Sequence, residues 1–214
     1  MGPAGMFWGF IPDYVNTYED LKNMREGYVG VMGNYLAGKP MLNVRAEDML
    51  DNEVFADAAM NRRCLVISTE FYETRHLPKI GKRGQLLKAT DPYPYRITIP
   101  DADYFLMAAI YNPWVVPDSG EVVDTFAIVT TEANSLVSQI HNVKKRMPVV
   151  FTPGDKKAWQ WTNPNLSAGK IKELSTYQFA GENMEAHPVA KDFLSAEDPT
   201  AECYYPGLPK LVNL

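Results

Sequence analysis

The chain has 214 residues, enough for one large domain or two small ones, and a formal net charge of −5. Hydrophobic residues make up 46% and charged residues 22%, the balance of an ordinary globular protein. That charge excludes a general nucleic-acid coat, two cysteines exclude a disulfide framework, and no apolar run is long enough to span a bilayer.

Phe7-Trp8-Gly9-Phe10-Ile11-Pro12 is aromatic, apolar and closed by proline, so it reads as a strand end or packed turn. A chain that opens in a core-like segment reads as one that has lost its beginning. Met1 to Phe7 lacks the basic start of a signal peptide, so a cytoplasmic location is expected. Tyr18 to Glu26 reads as a helix capped by Thr17, followed by a glycine-punctuated loop with Gly27, Gly30, Gly33 and Gly38. Asn43 and Arg45 lie in a short segment before a helix expected from about Ala46 to Met60, with Leu50, Val54, Phe55 and Ala58 on its buried face. By itself Asn43 is also an ordinary capping residue.

Cys64 to Ile67 is a short run of β-formers and reads as a buried central strand, with Cys64 an inert thiol. Ser68 and Thr69 interrupt the run, and two aromatics lead to Glu73. A carboxylate between aromatics at the end of a core strand is poorly solvated, which raises its pKa and suits it to proton transfer. The competing reading is a strand-end glutamate that reaches water or pairs with Arg75. Arg75 to Asp91, with Gly81 and Gly84, reads as a mobile loop or hairpin tip. Tyr95 to Ile99, Tyr104 to Tyr111 and Val122 to Thr130 read as strands, with a turn region at Asn112 to Gly120. Together they predict an α+β domain built on a mainly antiparallel sheet or barrel with short peripheral helices.

Ser135 to Ile140 reads as a short helix ending at His141, beside the basic turn Lys144-Lys145-Arg146. A neutral imidazole there can act as a base or hydrogen-bond partner; a structural histidine is the competing reading. Met147 to Phe151 returns to strand character, Gly154 to Trp161 and Ser167 to Leu174 read as helices, and Met184 to Lys191 as a last strand. The proline-rich tail 195–214 wraps the surface of a single domain, 1–214. His76, His141 and His187 are far apart and none has a partner at metal-ligand spacing, so neither metal nor cofactor is expected.

Charge is unevenly spread. Residues 61–100 carry 8 basic and 3 acidic groups, and residues 144–172 carry 7 and 1. Folded side by side, these bands make a positive face able to bind a phosphate backbone; scattered solvated lysines are the alternative.

The ordered series Trp8-Gly9-Phe10-Ile11-Pro12, Asn43-Val44-Arg45-Ala46-Glu47, Arg62-Arg63-Cys64-Leu65-Val66, Phe71-Tyr72-Glu73, Thr130-Thr131-Glu132-Ala133-Asn134 and His141…Arg146-Met147-Pro148-Val149 resembles the SOS response-associated peptidase (SRAP) family of abasic-site processing proteins. The resemblance implies a groove for single-stranded DNA bearing abasic sites, bound by a monomer that associates with the nucleoid when it holds damaged DNA. In the family an N-terminal cysteine, exposed when the initiator Met is removed, attacks the ring-opened aldehyde, and its amine and thiol form a thiazolidine crosslink. By motif match Asn43 orients that cysteine, Glu73 handles protons and His141 assists opening of the sugar ring. Arg45 and Arg146 match phosphate-holding arginines, and Trp8 matches a groove aromatic suited to base stacking.

This sequence departs from the pattern at two places. It begins Met1-Gly2-Pro3 where the family begins Met-Cys-Gly-Arg, and Thr74 stands where a tryptophan is usual. Neither Cys64 nor Cys203 has an adjacent α-amine; Gly2 offers an amine alone, able to form a Schiff base. The expectation is an N-terminally truncated domain with exposed sheet edges and reduced stability. The alternatives are a cysteine-less DNA-binding module, and a peptidase or other hydrolase that uses Glu73 and His141 on a small substrate.

Overall fold

The computed structural model describes residues 4–212; the Gly2 amine considered above lies outside them. In chain order the elements are β1 (Phe7–Trp8), α1 (Tyr18–Glu26), β2 (Gly27–Val29), β3 (Tyr35–Ala37), β4 (Asn43–Arg45), α2 (Ala56–Asn61), β5 (Arg63–Ser68), β6 (Phe71–Ile80), β7 (Leu86–Thr98), β8 (Phe105–Val115), β9 (Val122–Glu132), α3 (Val137–Ile140), β10 (Arg146–Pro148), β11 (Val150–Phe151), α4 (Lys156–Trp161), α5 (Ala168–Ser175) and β12 (Glu185–Pro188). This is the expected α+β class. The strands form separate sheets of seven, three and two strands, and no sheet among the described residues closes into a barrel.

The large sheet is organised around β8 and β9, an antiparallel pair whose buried positions include Phe105, Met107, Ala108, Ala109, Ile110, Ala127 and Val129. Short alanines at 108, 109 and 127 let layers on both faces pack close to the backbone. β8 and β9 splay apart at one end, and the stretch 146–151 fills the opening, β10 pairing with β9 and β11 with β8. β1 and β4 lie parallel to β9 on its other side. β5 pairs antiparallel with β8 from Arg63 to Ser68.

β5 is therefore not the buried centre that its apolar run suggests. It has no second strand neighbour among the described residues, and Ile67 is 66% exposed. The expected helix from Ala46 to Met60 is also shorter: 46–55 runs through turns, and only Ala56–Asn61 is helical. The Asn52 side chain accepts from the Val54 amide at 3.0 Å and offers the backbone a turn in place of a helical rung. The region read as a loop from Arg75 to Asp91 is mostly regular. β6 and β7 pair as a long hairpin whose tip is Gly81–Gln85, with Gly84 at φ +78.

Helix α1 matches its expected bounds. Thr17 accepts from the Asp20 amide and Asp20 accepts from the Thr17 amide, a reciprocal cap of two otherwise unpaired donors. The tail is tied down: Tyr205 donates to the Val189 carbonyl, Gln139 bonds both the amide and the carbonyl of Val212, and Leu208 and Leu211 pack on the core. No helix among the described residues is long and apolar enough to cross a membrane.

Candidate functional site

Glu73 sits on β6, whose residues from Phe71 to Leu77 are all half-buried. His141 follows α3, a single turn anchored by buried Val137 and Ile140 and capped by the Asn134 side chain on the Val137 amide. The two functional groups are 68 positions apart in the chain, yet Glu73 Oε1 and His141 Nδ1 lie 3.3 Å apart. Burial pushes the Glu73 carboxyl above its ordinary range, and the opposing pull of His141, then of the Thr74 backbone and of Lys144, does not cancel it.

His141 Nδ1 is also 2.8 Å from the Arg146 carbonyl oxygen. Both neighbours of Nδ1 are acceptors, so this nitrogen carries the ring hydrogen. Nε2 then has no hydrogen-bond partner among the described residues and is the atom that can take or give a proton. The ring is aimed from its backbone side. Asn142 Oδ1 accepts from the His76 amide at 2.9 Å, and its Nδ2 donates to the His76 carbonyl at 2.8 Å. One side chain thus pairs with the edge of β6 as a strand residue would, three positions from Glu73. Lys145, in the same turn, takes a left-handed backbone at φ 50.

A second cluster lies across β9. Arg146 donates through Nη1 and Nη2 to the two carboxylate oxygens of Glu47, at 2.7 and 2.8 Å, and Nη2 also donates to the Thr130 carbonyl. Its Nε is buried without a partner. Arg45 Nε lies 4.0 Å from Glu47 and 3.8 Å from Asp48. Both arginines expected to hold phosphates therefore face carboxylates. The Arg146 fork holds the Glu47 carboxyl below its usual range, with Arg45 adding to the effect.

Asn43 is exposed on β4, two residues before Arg45 and so on the same face, with buried Val44 facing the core between them. No hydrogen bond among the described residues joins Asn43 to the Glu73–His141 pair. Trp8 is 54% exposed and donates from Nε1 to the Leu42 carbonyl, which places it beside Asn43. The Cys64 thiol is pushed up to about 12 by burial and, less strongly, by Asp124, so it is protonated and unreactive at neutral pH. Among the described residues, no group of three or more His, Cys, Asp or Glu could hold a metal ion.

The two basic bands meet where Arg63 and Cys64 bond the 161–163 stretch, but much of their charge is committed inside the fold. Arg63 is 5% exposed and donates to four carbonyls, those of Trp161, Ala59, Met60 and Asn163. Arg62 pairs with Asp57 and Arg96 with Glu70. Glu47 and Asn142 had not been singled out from sequence. Glu47 closes the Asn43–Glu47 motif at strand spacing from Arg45, and Asn142 adjoins His141, so position was the one available signal for each.

Comparison with known proteins identifies the family. The family model described as SOS response associated peptidase (SRAP) matches residues 4–195. The abasic site processing protein YoqW of Bacillus subtilis is 27% identical over 183 residues, covering 86% of this chain and 67% of that protein. The abasic site processing protein HMCES of Gallus gallus is 28% identical over 193 residues, covering 80% of this chain and 52% of that protein. The chain thus spans about two-thirds of the one relative and about half of the other. A crystal structure of a Bacteroides thetaiotaomicron protein superposes with a TM-score of 0.71 at 35% identity, covering 91% of this chain and 72% of that one. A Bordetella bronchiseptica structure, at 20% identity and TM-score 0.63, shares the fold over 87% of this chain and 77% of its own.

Proposed function

The chain belongs to the SOS response-associated peptidase family, and from that premise we propose that it binds single-stranded DNA and processes abasic sites, with Glu73 and His141 moving the protons. The observation that carries this reading is the 3.3 Å pair of a burial-perturbed carboxyl and an imidazole whose second nitrogen is free. Relatives named as abasic site processing proteins support the choice of substrate.

The chemistry follows from the groups. An abasic deoxyribose rests mainly as a closed hemiacetal. Opening it removes a proton from the anomeric hydroxyl and adds one to the ring oxygen, which suits a base and an acid held in contact. An amine then attacks the aldehyde carbon, and the carbinolamine loses its hydroxyl as water once protonated, leaving a Schiff base. A carboxyl raised above its ordinary range by burial can supply that proton and take the next one back. Where a thiol neighbours the amine, sulfur adds to the imine carbon and closes a thiazolidine. An amine without a neighbouring thiol, a lysine's or that of Gly2, carries the reaction as far as the Schiff base. Arg45 and Arg146 bind the flanking phosphates once Glu47 yields the Arg146 fork, and Trp8 stacks on a base.

The test is incubation with single-stranded DNA carrying one abasic site, read on a denaturing gel with and without borohydride. A band that needs borohydride, lost in Glu73→Gln, is the expected result. A band stable without borohydride refutes the amine-only route. Absence of both covalent product and binding refutes the function.

A further inference from the structure

The β6–β7 hairpin continues well beyond the domain it belongs to. β12 covers β7 only along Tyr95–Thr98, and the Asn142 clamp reaches β6 only at His76. Past those points every residue from 78 to 90 except Gly81 is exposed. A free two-stranded ribbon in water would ordinarily be polar throughout, yet this one carries an apolar pair at its end. Ile80 and Leu86 are direct cross-strand partners, so they share one face, and they are 74% and 71% exposed. A register shift between Pro78 and Ile80 marks a bulge just before the pair.

The charge of the ribbon runs against that of the chain. Lys79, Lys82, Arg83 and Lys88 stand against one acidic residue, Asp91, in a protein of net charge −5. Lys79 pairs with Asp91 at 3.4 Å, while Lys82, Arg83 and Lys88 enter no ion pair among the described residues. Elsewhere in the two basic bands the arginines are largely committed inside the fold. Here three cations surround an exposed apolar pair at the end of a strand that also carries Glu73.

We propose that this ribbon is an arm that grips DNA flanking the lesion, its cations on backbone phosphates and the Ile80–Leu86 pair against an unstacked base. The inference rests on the functional reading given above. Cations hold the backbone without reading sequence, and apolar side chains set between such contacts are the usual wedge into a base step. From Glu73 to Ile80 is seven residues of strand, about 23 Å at ~3.3 Å per residue. At ~3.4 Å per nucleotide of a stacked strand, the arm meets the DNA about seven nucleotides from the lesion. The other exposed hairpin, β2–β3, has apolar Val31 and Met32 at its tip without cations beside them, and it lacks this complementarity.

The test is the salt dependence of binding to abasic single-stranded DNA with long flanks, measured by fluorescence anisotropy for the wild-type chain and for Lys82→Ser/Arg83→Ser/Lys88→Ser. Each phosphate contact on a single strand contributes about 0.7 to the slope of log K against log salt, so the triple variant lowers the slope by about 2. A second variant, Ile80→Ser/Leu86→Ser, weakens binding severalfold with the slope unchanged. In the wild type, shortening the flank below about seven nucleotides on one side reproduces the loss in slope. A triple variant with wild-type slope and affinity overturns the arm while the wild type's borohydride-trapped band keeps the catalytic reading. A wild type that binds no single-stranded DNA overturns both.

Discussion

Asn142→Ala tests how the site is held together. The substitution deletes two hydrogen bonds, at 2.9 and 2.8 Å, that join the turn after His141 to the His76 amide and carbonyl. Each is worth about 0.5–1.5 kcal/mol net, so the expected loss is about 1–3 kcal/mol. For a chain of this size that is a fall in Tm of about 2–12 °C. Urea unfolding gives the cleaner measure, because a change in midpoint at constant slope reports stability alone. The second readout is the site itself. With the clamp gone His141 drifts from Glu73, the carboxyl loses the main pull that opposes burial, and its pKa rises further above the ordinary range. Asn142→Asp is the stricter comparison, since it keeps the acceptor for the His76 amide but turns a carboxylate on the His76 carbonyl. An Asn142→Ala protein within 0.5 kcal/mol of wild type, with Glu73 titrating as before, would refute the clamp.

Three further outcomes follow from the same geometry. Because burial raises Glu73 in the folded state, its favourable contribution is complete below the ordinary value of 4.5 and disappears as pH climbs through the raised value. Glu73→Gln therefore gains on wild type across that climb, and a stability difference independent of pH from 4 to 8 would contradict the burial argument. Glu47→Gln frees the Arg146 fork for phosphate; a half-exposed pair is worth about 0.2–1 kcal/mol, so DNA affinity should rise about 1.5- to 5-fold, and a fall in affinity would mean Glu47 helps rather than competes. Arg63→Lys cannot span four carbonyls with one ammonium and should cost at least about 2 kcal/mol in chemical denaturation; a neutral effect would show that the carbonyls find water instead.

Helix α1 was legible because all its signals are local: an N-cap threonine, an acidic residue three positions on, and a glycine at the end. Ala46–Met60 misled because its apolar spacing is helical while its Asp48-Glu53 stretch prefers turns, and fully buried Met49 draws the chain inward. The β6–β7 ribbon was obscured by Pro78, Pro92 and Pro94 and by faces too exposed to show strand alternation. Burial of β5 was overstated because an apolar run does not reveal how many strands will flank it. Glu73 and His141 were found through motif order, but the bidentate lock of Glu47 on Arg146 and the Asn142 clamp are tertiary, between groups 99 and 66 positions apart.

The splayed end of β8 and β9 sets the order in which this protein can assemble. The β8–β9 hairpin closes across a short turn, but β1 and β4 join β9 across more than eighty intervening residues. The 146–151 stretch has nowhere to dock until that hairpin exists. Pairings of such sequence separation are slow, on the order of milliseconds to seconds. His141 and Arg146 reach their partners only when that stretch slots home, so competence to trap an abasic aldehyde should emerge with the slowest refolding phase. A burst of competence before that phase would mean that the site forms ahead of the sheet that frames it.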